Sequence, residues 1–188
     1  MNPYAAPVAG RLTILGFVVC IVQLAAVSQL DFFGAHADLV PLVVAMTGLL
    51  LGSLPGAVLG FACGFFVDCA LIQTMGLSSL LYLAVGYGAG RLREVRDPQA
   101  AAVPAVVGGA ATTVVTVGYA LMQFMLGTPI RVTGLLVGQI FVTILVNTLL
   151  SLPVYAAVRR WLLPVMPDDP RRRRRRAQTT RLSPLSRA

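Results

Sequence analysis

The chain has 188 residues, of which 57% are hydrophobic and only 12% are charged, whereas a soluble domain usually carries about a quarter charged residues. Its formal charge of +8 comes from 15 basic residues, all of them arginine, and 7 acidic residues. This composition excludes a soluble globular domain and predicts an all-α, polytopic membrane helix bundle.

Six apolar segments approach the roughly 20 helical residues that cross a bilayer core of about 30 Å. They cover residues 12–30, 39–51, 55–72, 75–90, 100–126 and 132–158. Because the segment 39–51 is short for a full crossing, we expect it to be tilted or partly re-entrant.

Arginines near the segment ends orient the chain, since basic residues accumulate on the cytoplasmic side of a membrane. Arg91, Arg93 and Arg159 mark two inside regions, while the connection 31–38 contains no basic residue and is predicted to lie outside. An odd number of crossings must join that connection to Arg91, and three fit the length. We therefore predict six spans with both termini in the cytoplasm.

Asp68 is the single charged residue within a predicted span. A carboxylate near the bilayer centre costs about 3 kcal/mol on insertion scales, so such a residue is a candidate functional residue. It follows Pro55 by thirteen residues, about 20 Å of helix, which places it towards the outer surface. The alternative interpretation is a structural carboxylate that reaches the interface or caps a nearby helix start.

Glycine recurs every four residues before Asp68, at Gly48, Gly52, Gly56, Gly60 and Gly64. This spacing lets helix backbones approach closely in lipid. Gly60, Gly64 and Asp68 lie at the same spacing on one helix, so they predict either a docking face for another helix or ordinary packing within the bundle. We favour packing.

A polar edge is predicted on the last segment. Its members are spaced by four residues: Gln139, Thr143, Asn147 and Ser151. Thr112, Thr116 and Gln123 on the preceding segment can face them, with hydrogen bonds worth about 0.6 kcal/mol each. The edge therefore predicts either a polar seam between the two helices, which we favour, or a hydrophilic cavity for a small ligand.

The C-terminal part differs from the rest of the chain, since residues 159–188 carry the whole net charge of +8. An unbroken basic run is formed by Arg171, Arg172, Arg173, Arg174, Arg175 and Arg176. Blocks of like charge do not fold, and each arginine gains about 1 kcal/mol near an anionic leaflet. We predict a helix bundle over residues 1–163 and a disordered tail over residues 164–188. The tail is expected to contact anionic lipids or an acidic partner, and no nucleic acid.

The sequence contains no phosphate loop, no paired intramembrane carboxylates and no nucleophile beside a plausible base. Cys20, Cys63 and Cys69 lie in apolar runs, where a thiol behaves as a small hydrophobe. His36 lies in a short connection with two acidic residues, a weak metal signal. We therefore expect no enzymatic activity, no metal and no cofactor.

The central region has a distinctive order of elements. A glycine-spaced helix ends in Asp68 (GFACGFFVD, residues 60–68), a Gly-Leu turn follows at 76–77, and the next helix closes on GYGAGRL at 86–92. This order, with the hydropathy layout over residues 12–160, resembles the MreD family of rod shape-determining proteins. Residues 69–74 lack a glycine that the family often has, and the arginine tail is no part of the family pattern.

The resemblance implies a non-enzymatic scaffold of the bacterial cell-elongation complex in the inner membrane, where it supports peptidoglycan synthesis and cell shape. It implies a bitopic MreC-like partner and, indirectly, the MreB filament, RodA and a class B penicillin-binding protein. By position, Asp68, Gly60, Gly64 and Gly76 would form the family's central feature. We expect a single-span partner helix to bury Asp68 there.

The alternative is a substrate-binding membrane subunit of an energy-coupling-factor transporter, to which the MreD family is thought to be related in fold. Such a subunit needs an outward-facing pocket with several ligand contacts. The outer connections offer few candidates: Asp31, His36, Asp38, Gln73, Thr74 and Arg131. A third interpretation, a lipid-modifying enzyme, would need a cluster of acids or histidines at one membrane face, which the sequence lacks.

Overall fold

The computed structural model describes residues 5–25, 31–32, 35–36, 38–72, 74–95, 102–127 and 134–165. Within these ranges the chain forms six α-helices, which confirms the predicted all-α membrane bundle. They are α1 (Ala5–Ala25), α2 (Leu39–Leu51), α3 (Ser53–Ala70), α4 (Leu77–Val95), α5 (Ala102–Met125) and α6 (Gly134–Leu162). Two short antiparallel strands, β1 (Asp31–Phe32) and β2 (Ala35–His36), lie between α1 and α2 in the chain, and a 3-10 turn (Leu163–Val165) follows α6. The predicted arginine run at 171–176 lies outside the described residues.

Four of these helices, α1, α3, α5 and α6, are long and apolar enough to cross a membrane by themselves. Their outer faces expose large apolar side chains such as Phe17, Phe61, Leu121, Phe141 and Leu149. A soluble monomer rarely exposes so much apolar surface. The distribution is that of a bundle whose outer surface contacts lipid.

The helix α2 lies at the centre of the bundle. Its 13 residues measure about 20 Å, and every residue from 40 to 50 is buried. All five other helices contact it. A helix that is apolar on all sides and fully covered is a core element, so the short segment is an interior helix rather than a lipid-facing span.

A single residue, Gly52, joins α2 to α3. Its φ of 112° lies in the left-handed region that favours glycine. The Gly52 amide donates to the Gly48 carbonyl at 2.8 Å and ends α2, while its carbonyl accepts from the Gly56 amide at 3.3 Å as α3 begins. The chain reverses there, so that a Cβ built on Gly56 would lie 2.6 Å from the Cα of Gly48.

The start of α1 and the end of α6 lie at the same end of the bundle. Arg11 Nη1 donates to the Trp161 carbonyl at 2.9 Å, and the Trp161 indole donates back to the Arg11 carbonyl at 3.4 Å. Because the start of α1 and the end of α6 lie on the same side, the contact agrees with an even number of membrane crossings. The cytoplasmic side for both termini stays a prediction.

Candidate functional site

The most extensive helix contact in the described chain joins α3 to α4. A Cβ built on Gly64 would lie 2.5 Å from the Ser79 Cα, and one built on Gly60 would meet the Tyr82 carbonyl. Because backbone meets backbone, a larger residue would force the helices apart. We call this contact the α3–α4 seam and define it by Gly56, Gly60, Gly64 and Asp68 on α3 and Ser79, Tyr82, Gly86 and Gly90 on α4.

A third helix, α2, contacts the seam about one turn from its Gly90 end. Gly48 of α2, Gly56 of α3 and Gly86 of α4 meet at one point. A Cβ on Gly48 would collide with the Gly86 carbonyl, and one on Gly86 would collide with the Gly56 carbonyl. One turn further along α4, Gly90 packs against the backbone of Ser53. The three helices therefore touch through their main chains, and the Val44 side chain of α2 packs beside the contact.

Asp68 closes the other end of the seam, where its side chain is fully buried. The Gly76 amide donates to Oδ2 at 2.9 Å, the Ser78 amide to Oδ1 at 3.3 Å and the Ser79 amide to Oδ2 at 3.4 Å. The Ser79 hydroxyl also donates to Oδ2, at 3.3 Å. Four donors from the start of α4 thus surround the carboxylate.

The start of α4 explains why Asp68 is needed. The first amides of a helix have no partner within the helix, and a side chain at the N-cap position usually accepts their hydrogen bonds. Gly76 occupies that position, since its carbonyl accepts the first helical bond from the Leu80 amide at 3.0 Å, but glycine has no side chain. Its φ of 94° suits glycine as well. Asp68 caps α4 from the neighbouring helix, and its charge is favourable at a helix N-terminus.

The structure brings the four predicted partner-binding residues together. Gly60 and Gly64 face α4, and Gly76 donates to Asp68. The alternative interpretation of Asp68, a carboxylate that caps a helix start, matches this geometry. Asp68 is buried by α4 of the same chain, whereas we expected a partner helix to bury it. A role of these four residues in partner binding stays a prediction.

A second polar cluster lies at the start of α2. The Asp38 amide donates to Asn147 Oδ1 at 3.2 Å, and the Leu39 amide donates to Gln23 Oε1 at 2.9 Å. Gln23 also donates through Nε2 to the Asp38 carboxylate at 3.2 Å. Side chains of α1 and α6 therefore cap α2, by the same arrangement that Asp68 provides for α4.

The first residue of the predicted polar edge of α6 differs in burial from the other three. Thr143, Asn147 and Ser151 are buried, whereas Gln139 is exposed. Ser151 packs against Gly108 of α5, where a Cβ would meet its side chain. The Ser151 hydroxyl donates to the Thr148 carbonyl and the Thr112 hydroxyl to the Gly108 carbonyl, so these bonds stay within their own helices. The edge thus joins α6 to α2 through Asn147 and to α5 through close packing.

Asn147→Ala should lower the stability of the bundle, because the half-buried Asp38 amide loses its acceptor. An unmade buried hydrogen bond costs about 1–3 kcal/mol, and we expect the lower part of that range at this half-buried position. The measurement is thermal unfolding of the purified chain in detergent. Gln139→Ala is the matched control on the same helix, and its exposed side chain should leave the melting temperature unchanged. Equal melting temperatures for Asn147→Ala and the wild type would contradict the capping role.

Two sets of contacts in these sites were not predicted from the sequence. Ser78 and Ser79 lie close to a helix start, where serine is a recognisable signal, and both donate to Asp68. No local signal marks the contact of Asp38 with Asn147, since the two residues are 109 positions apart. Such a pairing is fixed only by the packing of the whole bundle.

The other candidate residues are only partly described. The backbones of Asp31 and His36 belong to the short strands, whereas Gln73 and Arg131 lie outside the described residues. Cys20 and Cys63 are buried free thiols, and Cys69 is an exposed one. Across the described part of the chain, no group of three or more histidine, cysteine or acidic residues could hold a metal ion.

Comparison with known proteins shows a family match. The family model described as rod shape-determining protein MreD matches residues 9–161, which begin within α1 and end within α6. The match therefore includes the α3–α4 seam and the polar cluster at the start of α2. A search of curated proteins and a search of solved structures found no match. The likeness to the fold of energy-coupling-factor subunits stays a prediction.

Proposed function

Because the chain belongs to the MreD family of rod shape-determining proteins, we propose that it is a non-enzymatic scaffold subunit of the bacterial cell-elongation complex. It resides in the inner membrane and binds a bitopic MreC-like protein. Through that partner it supports peptidoglycan synthesis by RodA and a class B penicillin-binding protein, together with the MreB filament. The family match over residues 9–161 is the observation that carries this proposal.

The way the bundle uses its polar side chains supports a scaffold. Asp68 caps α4, while Gln23 and Asn147 cap α2. These hydrogen bonds fix one helix to another, which is a structural role. A scaffold requires a fixed outer surface, and capping bonds between helices together with main-chain contacts between glycines provide one.

In this proposal the central residues affect partner binding indirectly, by fixing the arrangement of the helices. Gly60, Gly64 and Asp68 are covered by α4, so a partner helix would have to displace α4 in order to reach them. Their contribution is to hold α3 and α4 at the separation that the partner requires. A variant of the seam therefore weakens partner binding only as far as it disturbs the bundle.

The proposal predicts which proteins co-purify with the chain. The tagged full-length chain, solubilised from its native membrane in mild detergent, should recover a single-span MreC-like protein above the level found with an unrelated tagged membrane protein. Depletion of the chain should turn rod-shaped cells round, and expression of the wild-type sequence should restore rods.

Two results would contradict the scaffold. Recovery of transporter ATPases in place of the MreC-like protein would support the energy-coupling-factor alternative. Unchanged rod shape after complete depletion would exclude a role in elongation. Mass spectrometry of the purified complex and microscopy of the depleted cells measure the two outcomes independently.

A further inference from the structure

Proline lies in the first turn of four of the six described helices. Pro7, Pro41, Pro55 and Pro104 are each the third residue of their helix, in α1, α2, α3 and α5. A proline at such a position frees no carbonyl, because the amides of a first turn have no acceptor within the helix. Pro153 is the exception among these helices, since it lies in the interior of the 29-residue α6.

The Leu149 carbonyl of α6 is left without its usual helical donor. In an α-helix it would accept from the amide of residue 153, and proline has no amide hydrogen. The Thr148 hydroxyl donates to the Ile144 carbonyl at 2.6 Å, and the Ser151 hydroxyl donates to the Thr148 carbonyl at 2.6 Å. Both hydroxyls of this stretch are therefore engaged with other carbonyls.

The freed carbonyl lies on the lipid-facing side of α6 and deep in the membrane. Leu149 is 74% exposed, and Leu152, Pro153 and Ala156 are exposed on the same side. We call these four residues the α6 lipid face. Arg159 follows Leu149 by ten residues, about 15 Å of helix. With Arg159 at the membrane surface, the carbonyl lies near the middle of a hydrocarbon core of about 30 Å, where a missing hydrogen bond is costly.

We propose that the α6 lipid face receives the transmembrane helix of the single-span partner, and that a hydroxyl or amide donor of that helix binds the Leu149 carbonyl. The inference rests on the proposed scaffold function and adds the surface and the hydrogen-bonding chemistry of the contact. The opposite side of α6 packs on α2 and α5. Only 11% of the apolar span of α6 is buried within the bundle, against 39% for α3, so α6 offers a broad lateral surface.

A single-span helix is the occupant that this chemistry favours. Lipid acyl chains carry no donor, and lipid headgroups lie about 15 Å away from the carbonyl. A second copy of this chain is a poor source, because the exposed threonines of the described helices, Thr13 and Thr113, donate to carbonyls of their own helices. A partner helix with a serine, threonine or asparagine at this depth supplies a donor, and the small Ala156 lets its backbone approach closely.

Pro153→Ala tests the role of the freed carbonyl. Alanine restores the amide of residue 153, so the Leu149 carbonyl no longer requires a donor from the partner. Recovery of the MreC-like protein with the tagged full-length chain should fall about threefold, as expected for the loss of one interhelical hydrogen bond in a membrane. The melting temperature in detergent should stay equal or rise, because alanine is favoured over proline within a helix. Pro55→Ala, in a first turn, is the matched control and should leave recovery unchanged. Undiminished recovery with Pro153→Ala would overturn the role of the carbonyl.

Photo-crosslinking in the native membrane tests the surface independently of these variants. A benzophenone amino acid placed at Leu149, and separately at Leu152, should form an adduct with the single-span protein. The exposed positions Phe61 on α3 and Leu80 on α4 are controls and should form none.

The outcomes separate the inference from the proposed function. If the unmodified chain recovers the MreC-like protein but the α6 positions form no adduct with it, the inference is wrong and the scaffold function stands. An adduct with a second copy of the chain would overturn the choice of occupant. Absence of the MreC-like protein from the complex of the unmodified chain would contradict the proposed function itself.

Discussion

Gly86→Ala should destabilise the bundle strongly, although it adds one methyl group. The new Cβ would lie 2.5 Å from the carbonyl carbon of Gly56 and would collide with its oxygen. Both atoms belong to the backbone of α3, so no side-chain rotation can relieve the contact and the helices must separate. Overpacking of a tight core costs about 1–3 kcal/mol, and we expect the upper part of that range. Thermal unfolding in detergent measures the effect as a fall of several degrees in melting temperature.

Gly88→Ala is the matched control for this experiment. Gly88 lies two residues further along α4, and a Cβ there would meet no atom within 4 Å. Alanine is favoured over glycine within a helix by about 1 kcal/mol, so this variant should be as stable as the wild type or slightly more stable. Similar losses for both variants would contradict the close approach of α3 and α4.

Asp68→Leu should have a comparable or larger effect, because it removes the cap of α4. Three backbone amides and the Ser79 hydroxyl would lose their acceptor, and all of these donors except the half-buried Gly76 amide are buried. Each unmade buried hydrogen bond costs about 1–3 kcal/mol, so a total of about 3 kcal/mol or more is expected. Asp68→Asn retains one oxygen acceptor and should be intermediate. Melting temperatures in detergent provide the ranking.

Asp68→Leu also distinguishes an indirect role of Asp68 in partner binding from a direct one. If Asp68 acts only through the bundle, Asp68→Leu and Gly86→Ala should lose the MreC-like partner in proportion to their lost stability. A greater loss of partner for Asp68→Leu, at equal melting temperature, would show that the carboxylate contacts the partner. Undiminished recovery of the complex by both folded variants would remove the α3–α4 seam from partner binding altogether.

Much of the helical layout was predictable from hydropathy. The segment 39–51 has the bounds of α2, and the other five predicted segments each correspond to one helix. The central position of α2 was not predictable. In a soluble protein the polar face of a helix reports the side exposed to water, whereas in lipid both the inner and the outer face are apolar. Hydropathy therefore identifies the helices without showing which of them lies inside.

The candidate site was also only partly predictable from the sequence. Glycines spaced by four before Asp68 predict a close helix contact, because small side chains are the main packing signal in lipid. The identity of the neighbouring helix does not follow from that spacing, since any helix backbone could fill the groove. The donors to Asp68 come from the next helix start, and they are recognised only when α3 and α4 are placed side by side.

The one-residue joint at Gly52 bears on how the chain is assembled in the cell. During biogenesis, a segment about 20 Å long cannot partition alone into a hydrocarbon layer about 30 Å thick while its first amides lack acceptors. Those acceptors belong to α1, synthesised before it, and to α6, synthesised after it. We therefore expect α2 to enter the membrane as one arm of a helical hairpin with α3, and to reach its final depth only after translation of α6 is complete.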